Sequence, residues 1–240
     1  WVLARGRVRV AGAGWVSVRS LALILMYLTM YPALAFIDMS VAGAAFYTAP
    51  FFIVALSALF LGQRISLSQG VAILLGFAGL LLIVRPFGLA FTPVVILPVA
   101  AAFFYACSAV VTNARCLTMT PVVMGFWLNV AFLGLGGLAL LAIRAGLSPA
   151  GMDFPFLLAG WRPMALQDWC VIGVLALLMV GVAIGVAMAY QSPQTAVIAT
   201  LEYCYMIFAI LWGFVFFGDV PDLWTVLGMM LIAIGGCAAL

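Results

Sequence analysis

The sequence predicts an all-α integral membrane protein, a multi-span helical bundle that contains an inverted repeat. Composition gives the class. Hydrophobic residues make up 69% of the 240 positions and charged residues 6%, against about 25% charged in soluble domains. So few charges cannot coat a water-facing surface. Internal similarity gives the architecture. Ala45-Phe46-Tyr47 followed by Ala58-Leu59-Phe60-Leu61-Gly62-Gln63 resembles Leu201-Glu202-Tyr203 followed by Phe214-Val215-Phe216-Phe217-Gly218-Asp219. In both stretches a Tyr stands fifteen residues before a Gly that closes an apolar run. Upstream the register drifts by two, with Ala33-Leu34-Ala35-Phe36 matching Ala187-Met188-Ala189-Tyr190. Five hydrophobic spans separate the two turns, and an odd number of crossings inverts the second copy. Inverted repeats around a shared site are the build of many secondary transporters, which makes transport the leading expectation.

A helix needs about 20 apolar residues to cross a bilayer, and eight stretches qualify. The first, 18–37, follows an Arg-rich start. The second, 40–61, carries Pro50 and closes at Gly62, and the third, 67–84, ends before Arg85-Pro86. Spans 92–112 and 121–143 are divided by Asn113, Arg115 and Pro121. Span 168–189 begins at Asp168, span 194–217 contains Glu202 and closes at Gly218, and the last, 222–240, opens at Asp222. The shorter alternating segments of a membrane β-barrel are not present in the pattern. The connection 145–167 carries Pro149, Pro155 and Pro163 with Phe154 and Trp161. Pro at that density opposes a spanning helix. Trp favours the interface, so this segment reads either as an external loop in the headgroup layer or as a loose linker.

Cytoplasmic loops collect Lys and Arg. With the N-terminal segment inside, inner loops hold Arg5, Arg7, Arg9, Arg19, Arg64 and Arg115. Outer loops hold Arg85, Arg144 and Arg162 with Asp38, Asp153, Asp168, Asp219 and Asp222. The turn at Gly62 is then inside and that at Gly218 outside. Without His, no imidazole serves catalysis or metal binding. The cysteines (107, 116, 170, 204, 237) lack the spacing of a zinc site, so neither metal nor cofactor is expected, and nothing points to nucleic acid. No HExxH, GxSxG or paired intramembrane carboxylates support an intramembrane enzyme. That class and a non-transporting membrane scaffold remain the alternatives to transport.

The motifs in order resemble the EamA-type transporters of the drug/metabolite transporter (DMT) superfamily. Leu61-Gly62-Gln63-Arg64 leading to Gly70, Gly76 and Gly79, and Phe217-Gly218-Asp219 leading to Gly228, Gly235 and Gly236, are similar to the family's helix–Gly–polar turn and Gly-rich helix. Tyr47-Thr48-Ala49-Pro50 resembles its entry into the fourth helix. Trp161-Arg162-Pro163, Asp168-Trp169 and Leu201-Glu202-Tyr203 resemble the linker and ninth helix of a bacterial subgroup. The resemblance implies two inverted five-helix repeats. Residues 1–86 would be the remainder of the first (helices three to five) and 92–240 the second (helices six to ten). Helix one and most of helix two would then precede this N-terminally truncated chain. It further implies a multi-pass protein of the bacterial inner membrane. The substrate would be an amino acid, nucleotide, vitamin or drug-like molecule, moved by alternating access in either direction. It leaves room for proton coupling and for a homodimer.

Glu202 is the one charged residue that the span assignment places well inside the membrane. An ionised carboxylate there costs about 2.5–3.5 kcal/mol on insertion scales, and such groups usually mark a substrate or ion path. Glu202 is therefore the candidate for substrate binding and for carrying a coupling proton, and an acidic site leans toward cationic or zwitterionic metabolites. A neutral carboxyl bonded to a neighbouring helix is the plainer reading. Asn129, beside Trp127, is a candidate substrate contact or interhelical glue. The seven tyrosines, Tyr27, Tyr31, Tyr47, Tyr105, Tyr190, Tyr203 and Tyr205, read mostly as anchors or packing. Tyr47 and Tyr203, at equivalent repeat positions, are the choices for the cavity. Pro50 removes a helix hydrogen bond, so it reads as a hinge or as a harmless kink. The glycines around Gly76-Gly79, Gly134-Gly137 and Gly181-Gly185 read as helix-packing faces.

Overall fold

A computed structural model of the chain describes residues 13–37, 39–84, 93–145, 164–218 and 220–239. Most of the Pro-rich connection 145–167, Arg5, Arg7, Arg9, Asp38, Arg85, Asp153, Arg162 and Asp219 lie outside these residues. Ten α-helices and one 3-10 turn (Pro93–Val95), with no strand, make up the described structure. They are α1 (Ala13–Ala33), α2 (Met39–Phe46), α3 (Ala49–Leu61), α4 (Leu67–Val84), α5 (Ile96–Arg115), α6 (Pro121–Arg144), α7 (Leu166–Tyr190), α8 (Thr195–Leu201), α9 (Cys204–Phe217) and α10 (Leu223–Ala239). Among the described residues five apolar segments are long enough to cross a bilayer: Gly14–Ala33, Val41–Leu61, Pro93–Arg115, Pro121–Arg144 and Leu166–Tyr190. Leu67–Ile83, Val197–Trp212 and Leu223–Ala238 are apolar but shorter. The eight apolar segments match the eight expected spans.

Two spans are broken, and they are the equivalent ones. The second stops at Phe46, turns through Tyr47-Thr48 and resumes at Ala49. The seventh stops at Leu201, turns through Glu202-Tyr203 and resumes at Cys204. Neither chain leaves its path. The hydrogen bonds tighten to three-residue spacing instead: Thr48 N–H donates to Ala45 O at 3.2 Å, and Tyr203 N–H to Thr200 O at 3.2 Å. Pro50 accounts for the first break, because it has no N–H to donate. It therefore sits in the first turn of α3, where Pro is tolerated, and not in a helix interior. No residue of the second break forbids a helix, and we have no local account of it.

Close approach at glycines fixes the direction of the helices that follow the two turns. A Cβ at Gly79 would lie 2.6 Å from the carbonyl oxygen of Gly228, and one at Gly235 would lie 2.8 Å from that of Ala72. Rising positions on α4 thus meet falling positions on α10, so the two run antiparallel. α4 starts after Gly62 and α10 after Gly218, which places the two turns at opposite ends of the pair. Both glycines adopt left-handed backbone, φ 63° and 74°, where side chains are disfavoured. Gly134, Gly136, Gly137, Gly181 and Gly185 meet nothing within 4 Å. Their expected role as packing faces is not seen among the described residues.

α1 and α5 also pack antiparallel. Arg19 meets Thr112 at one end, and Leu23 and Met26 cluster with Ala101 further along. Trp15 near the start of α1 lies under the guanidinium of Arg115 at the end of α5, 5.0 Å from ring centroid to Cζ. Asp168 and Asp222 cap helix starts instead of lining a path. Asp168 accepts from the N–H of Ala165 at 3.0 Å, and Asp222 accepts from the N–H and hydroxyl of Thr225 at 3.0 and 2.7 Å. Side-chain oxygens there satisfy donors that a helix N-terminus leaves open.

Candidate functional site

The break between α8 and α9 presents Glu202 to α5 and α7. Its Oε1 accepts hydrogen bonds from the hydroxyls of Tyr105 at 2.5 Å and Tyr190 at 2.6 Å. The two phenol rings meet edge to face, with centroids 6.2 Å apart, and Phe46 at the first break lies 5.7 Å from Tyr105 by the same measure. Charge-assisted bonds to two hydroxyls are what an acid in a membrane needs in place of water. Both donors come from other spans, from residues that sequence reading leaves among anchors and packing. No spacing rule links positions 105, 190 and 202.

Tyr105 and Tyr190 also line a cavity of about 450 Å³, within the range usual for small-molecule sites. Its wall follows α1 from Arg19 through Leu23, Tyr27 and Tyr31 to Leu34, about 22 Å at the helical rise. α5 contributes Ser108 and Thr112, and α7 contributes Val186. Glu202 is not part of the lining. It stands behind the two tyrosines, which separate it from the open space.

The other candidate residues fall elsewhere. Tyr203 is fully buried with Leu80 and Ile232. It stacks on Tyr47 (centroids 6.0 Å apart, 25° between planes) and donates from its hydroxyl to the carbonyl of Tyr47 at 3.1 Å. The two equivalent tyrosines thus touch each other, where the breaks meet, and neither lines the cavity. Asn129 is exposed and donates to Gly125 O on its own helix at 2.9 Å. Trp127, 41% exposed, borders a separate pocket with Ser17 and Ser20. Pro50 is buried beneath the first break. The structure places Glu202 behind two tyrosines of the cavity wall, brings Tyr47, Tyr203 and Pro50 to the breaks, and leaves Asn129 and Trp127 apart.

One expectation is overturned. α1 begins at Ala13, five residues before the expected span, so Arg19 lies in its second turn and not at a span edge where it counts with the inner loop. It is 5% exposed. Glu202 is therefore not the only charged group inside the bundle. Hydropathy reading missed this because Val16, Val18 and Leu21 continue the apolar face around a residue long enough to reach Thr112.

Polar bonds close the end of the bundle that carries Arg64 and Arg115. Asn113 Nδ2 donates to the carbonyls of Tyr190 and Ser192 at 3.2 and 2.5 Å. Gln191 Nε2 donates to those of Cys116 and Met119 at 2.8 and 2.7 Å. Gln63 Nε2 donates to Pro193 O at 2.9 Å, and its Oε1 accepts from Thr195 Oγ1 at 2.6 Å. The turn after α7 is thereby tied both to the α5–α6 turn and to the Gly62 turn.

Fold and site together define a multi-pass helical membrane protein with a solute-sized cavity walled by spans. Residues 3–85 match the EamA-like transporter family. The pseudopaline exporter CntI of Pseudomonas aeruginosa (strain UCBPP-PA14) is 29% identical over 221 residues, 90% of this chain and 70% of the exporter. A riboflavin transporter of Rhizobium johnstonii is 29% identical over 187 residues, 77% of this chain and 56% of that transporter. A protein of known crystal structure, 23% identical, superposes with a TM-score of 0.72 over 93% of this chain and 76% of its own, a likeness of fold. The match over residues 3–85 and these relatives make the chain similar to EamA-type transporters of the drug/metabolite transporter superfamily. The family match and the named relatives support a membrane transporter of small molecules over an enzyme.

Proposed function

We propose that this chain is a secondary-active transporter of the bacterial inner membrane, moving a small organic metabolite by alternating access through the cavity along α1, α5 and α7. The single observation that supports this most is that Tyr105 and Tyr190 line the cavity and both bond Glu202. Ionised, Glu202 holds both hydroxyls as an acceptor. Protonated, it becomes a donor itself and releases a phenol to bond a solute in the cavity. The solute thus competes with the carboxylate for a hydroxyl, so protonation and solute binding favour each other, which is a coupling device. Tyr47, Tyr203 and Pro50 serve the movement, as paired hinges where the broken spans cross. Asn129 and Trp127 take no part in solute binding in this reading.

The full-length protein in proteoliposomes tests this. A Glu202→Gln variant should retain solute exchange without a gradient and lose accumulation driven by a pH gradient, by at least tenfold. Unchanged gradient-driven accumulation in that variant would sink the proton role.

A further inference from the structure

Arg19 is the one charged residue among those that line the cavity. A guanidinium is costly inside a membrane and usually takes a partner there. Its Nε donates to Thr112 Oγ1 at 2.9 Å, a neutral hydroxyl that itself donates to Ser108 O. Its Nη1 is buried and has no hydrogen-bond partner among the described residues. Arg carries five N–H donors and cannot shed its proton. A buried charge left without a counter-charge is strongly unfavourable, and the neighbouring space is the solute cavity.

We propose that Arg19, held by Thr112, is an anion-binding subsite at one end of the cavity, and that the solute is a monocarboxylate with an apolar or aromatic body. The planar fork of a guanidinium matches a carboxylate. One fixed positive charge balances one negative charge, whereas a phosphate dianion would leave a charge uncompensated in an otherwise neutral wall. Above Arg19 the lining is Leu23, Met26, Tyr27, Met30 and Phe46. Tyr27 and Tyr31 stack there with centroids 5.6 Å apart. That part of the wall suits an apolar or aromatic body. The proposal rests on the transport reading above and reverses the lean toward a cation, while keeping a zwitterion admissible.

The test uses 3-phenylpropionate, its amide and phenyl phosphate, each titrated against the full-length protein in detergent, with thermal midpoint as readout, since a ligand of the native state raises it. The acid should bind at least tenfold more tightly than the amide or the phosphate. Arg19→Gln should reduce the acid to the level of the amide, and Arg19→Lys should fall between. Equal binding of acid and amide by the unaltered protein, or binding of neither, overturns the proposal, and this comparison stands even if the variants fail to fold. Tighter binding of phenyl phosphate overturns the choice of carboxylate. Exchange of the same acid into vesicles separates the two readings. Arg19-dependent binding without exchange would refute transport and leave the subsite, whereas exchange indifferent to Arg19 would do the reverse.

Discussion

Gly62 and Gly218 sit in left-handed backbone, where a Cβ costs about 1–2 kcal/mol. Gly62→Ala and Gly218→Ala should each lower unfolding stability by about that amount, although neither Cβ would meet another atom. Gly76 is limited by space instead. A Cβ there would lie 2.5 Å from Cδ2 of Tyr203, so Gly76→Ala should cost about 1–3 kcal/mol and loosen the Tyr47–Tyr203 stack. Gly181→Ala, with open space around it, should stay within about 0.5 kcal/mol. Chemical denaturation in detergent measures all four, and a penalty at Gly181 equal to that at Gly76 would contradict the packing described. Sequence pattern marks Gly62 and Gly218 as turn glycines but does not separate Gly76 from Gly181, both of which read as helix-packing positions. Glu202 was legible for a different reason. A carboxylate amid apolar residues is anomalous in one dimension. Its partners Tyr105 and Tyr190 are ordinary in their own spans and become a site only when three helices converge. Arg19 was hidden by its position, since a cation near a span end reads as a loop residue.

At the scale of elements, the broken spans are the main departure from a simple helix count. Pro50 made a hinge or kink in the second span foreseeable, whereas the second break, at Glu202-Tyr203, was not read from the sequence. The consequence is chemical, since a turn frees backbone and side-chain groups to face neighbouring helices at membrane depth, where only protein can satisfy them. The Arg64–Arg115 end behaves as a latch in the proposed cycle. Opening that end requires the bonds of Asn113, Gln191 and Gln63 to break. Each is worth about 0.5–1.5 kcal/mol net, so Asn113→Ala and Gln191→Ala should each shift the equilibrium several-fold toward the state open at this end. Spin-label distances between the α5–α6 and α7–α8 turns would lengthen in the variants. Distances that stay at the unaltered value would show that the latch does not limit opening.

For the whole molecule, the antiparallel α4–α10 pair and the stack of Tyr47 on Tyr203 join the segments that follow the two similar turns. In the proposed alternating-access cycle, a cavity that runs along α1 and is closed by polar bonds at one end is one of two exchanging states. The charge distribution orients it. Arg64 and Arg115 flank the latch, so the positive-inside tendency puts the closed end in the cytoplasm and the Leu34 end outside. Accessibility then has a definite sign. In a cysteine-free background, Leu34→Cys should react with an impermeant maleimide applied from outside, and Cys116 restored to that background, buried at the closed end, should react slowly from inside. A transported solute or an imposed proton gradient should slow the first reaction and speed the second together, because one rearrangement governs both. If the two rates rise and fall in step, the bundle breathes without alternating, and the symmetry of its breaks would have to serve packing alone.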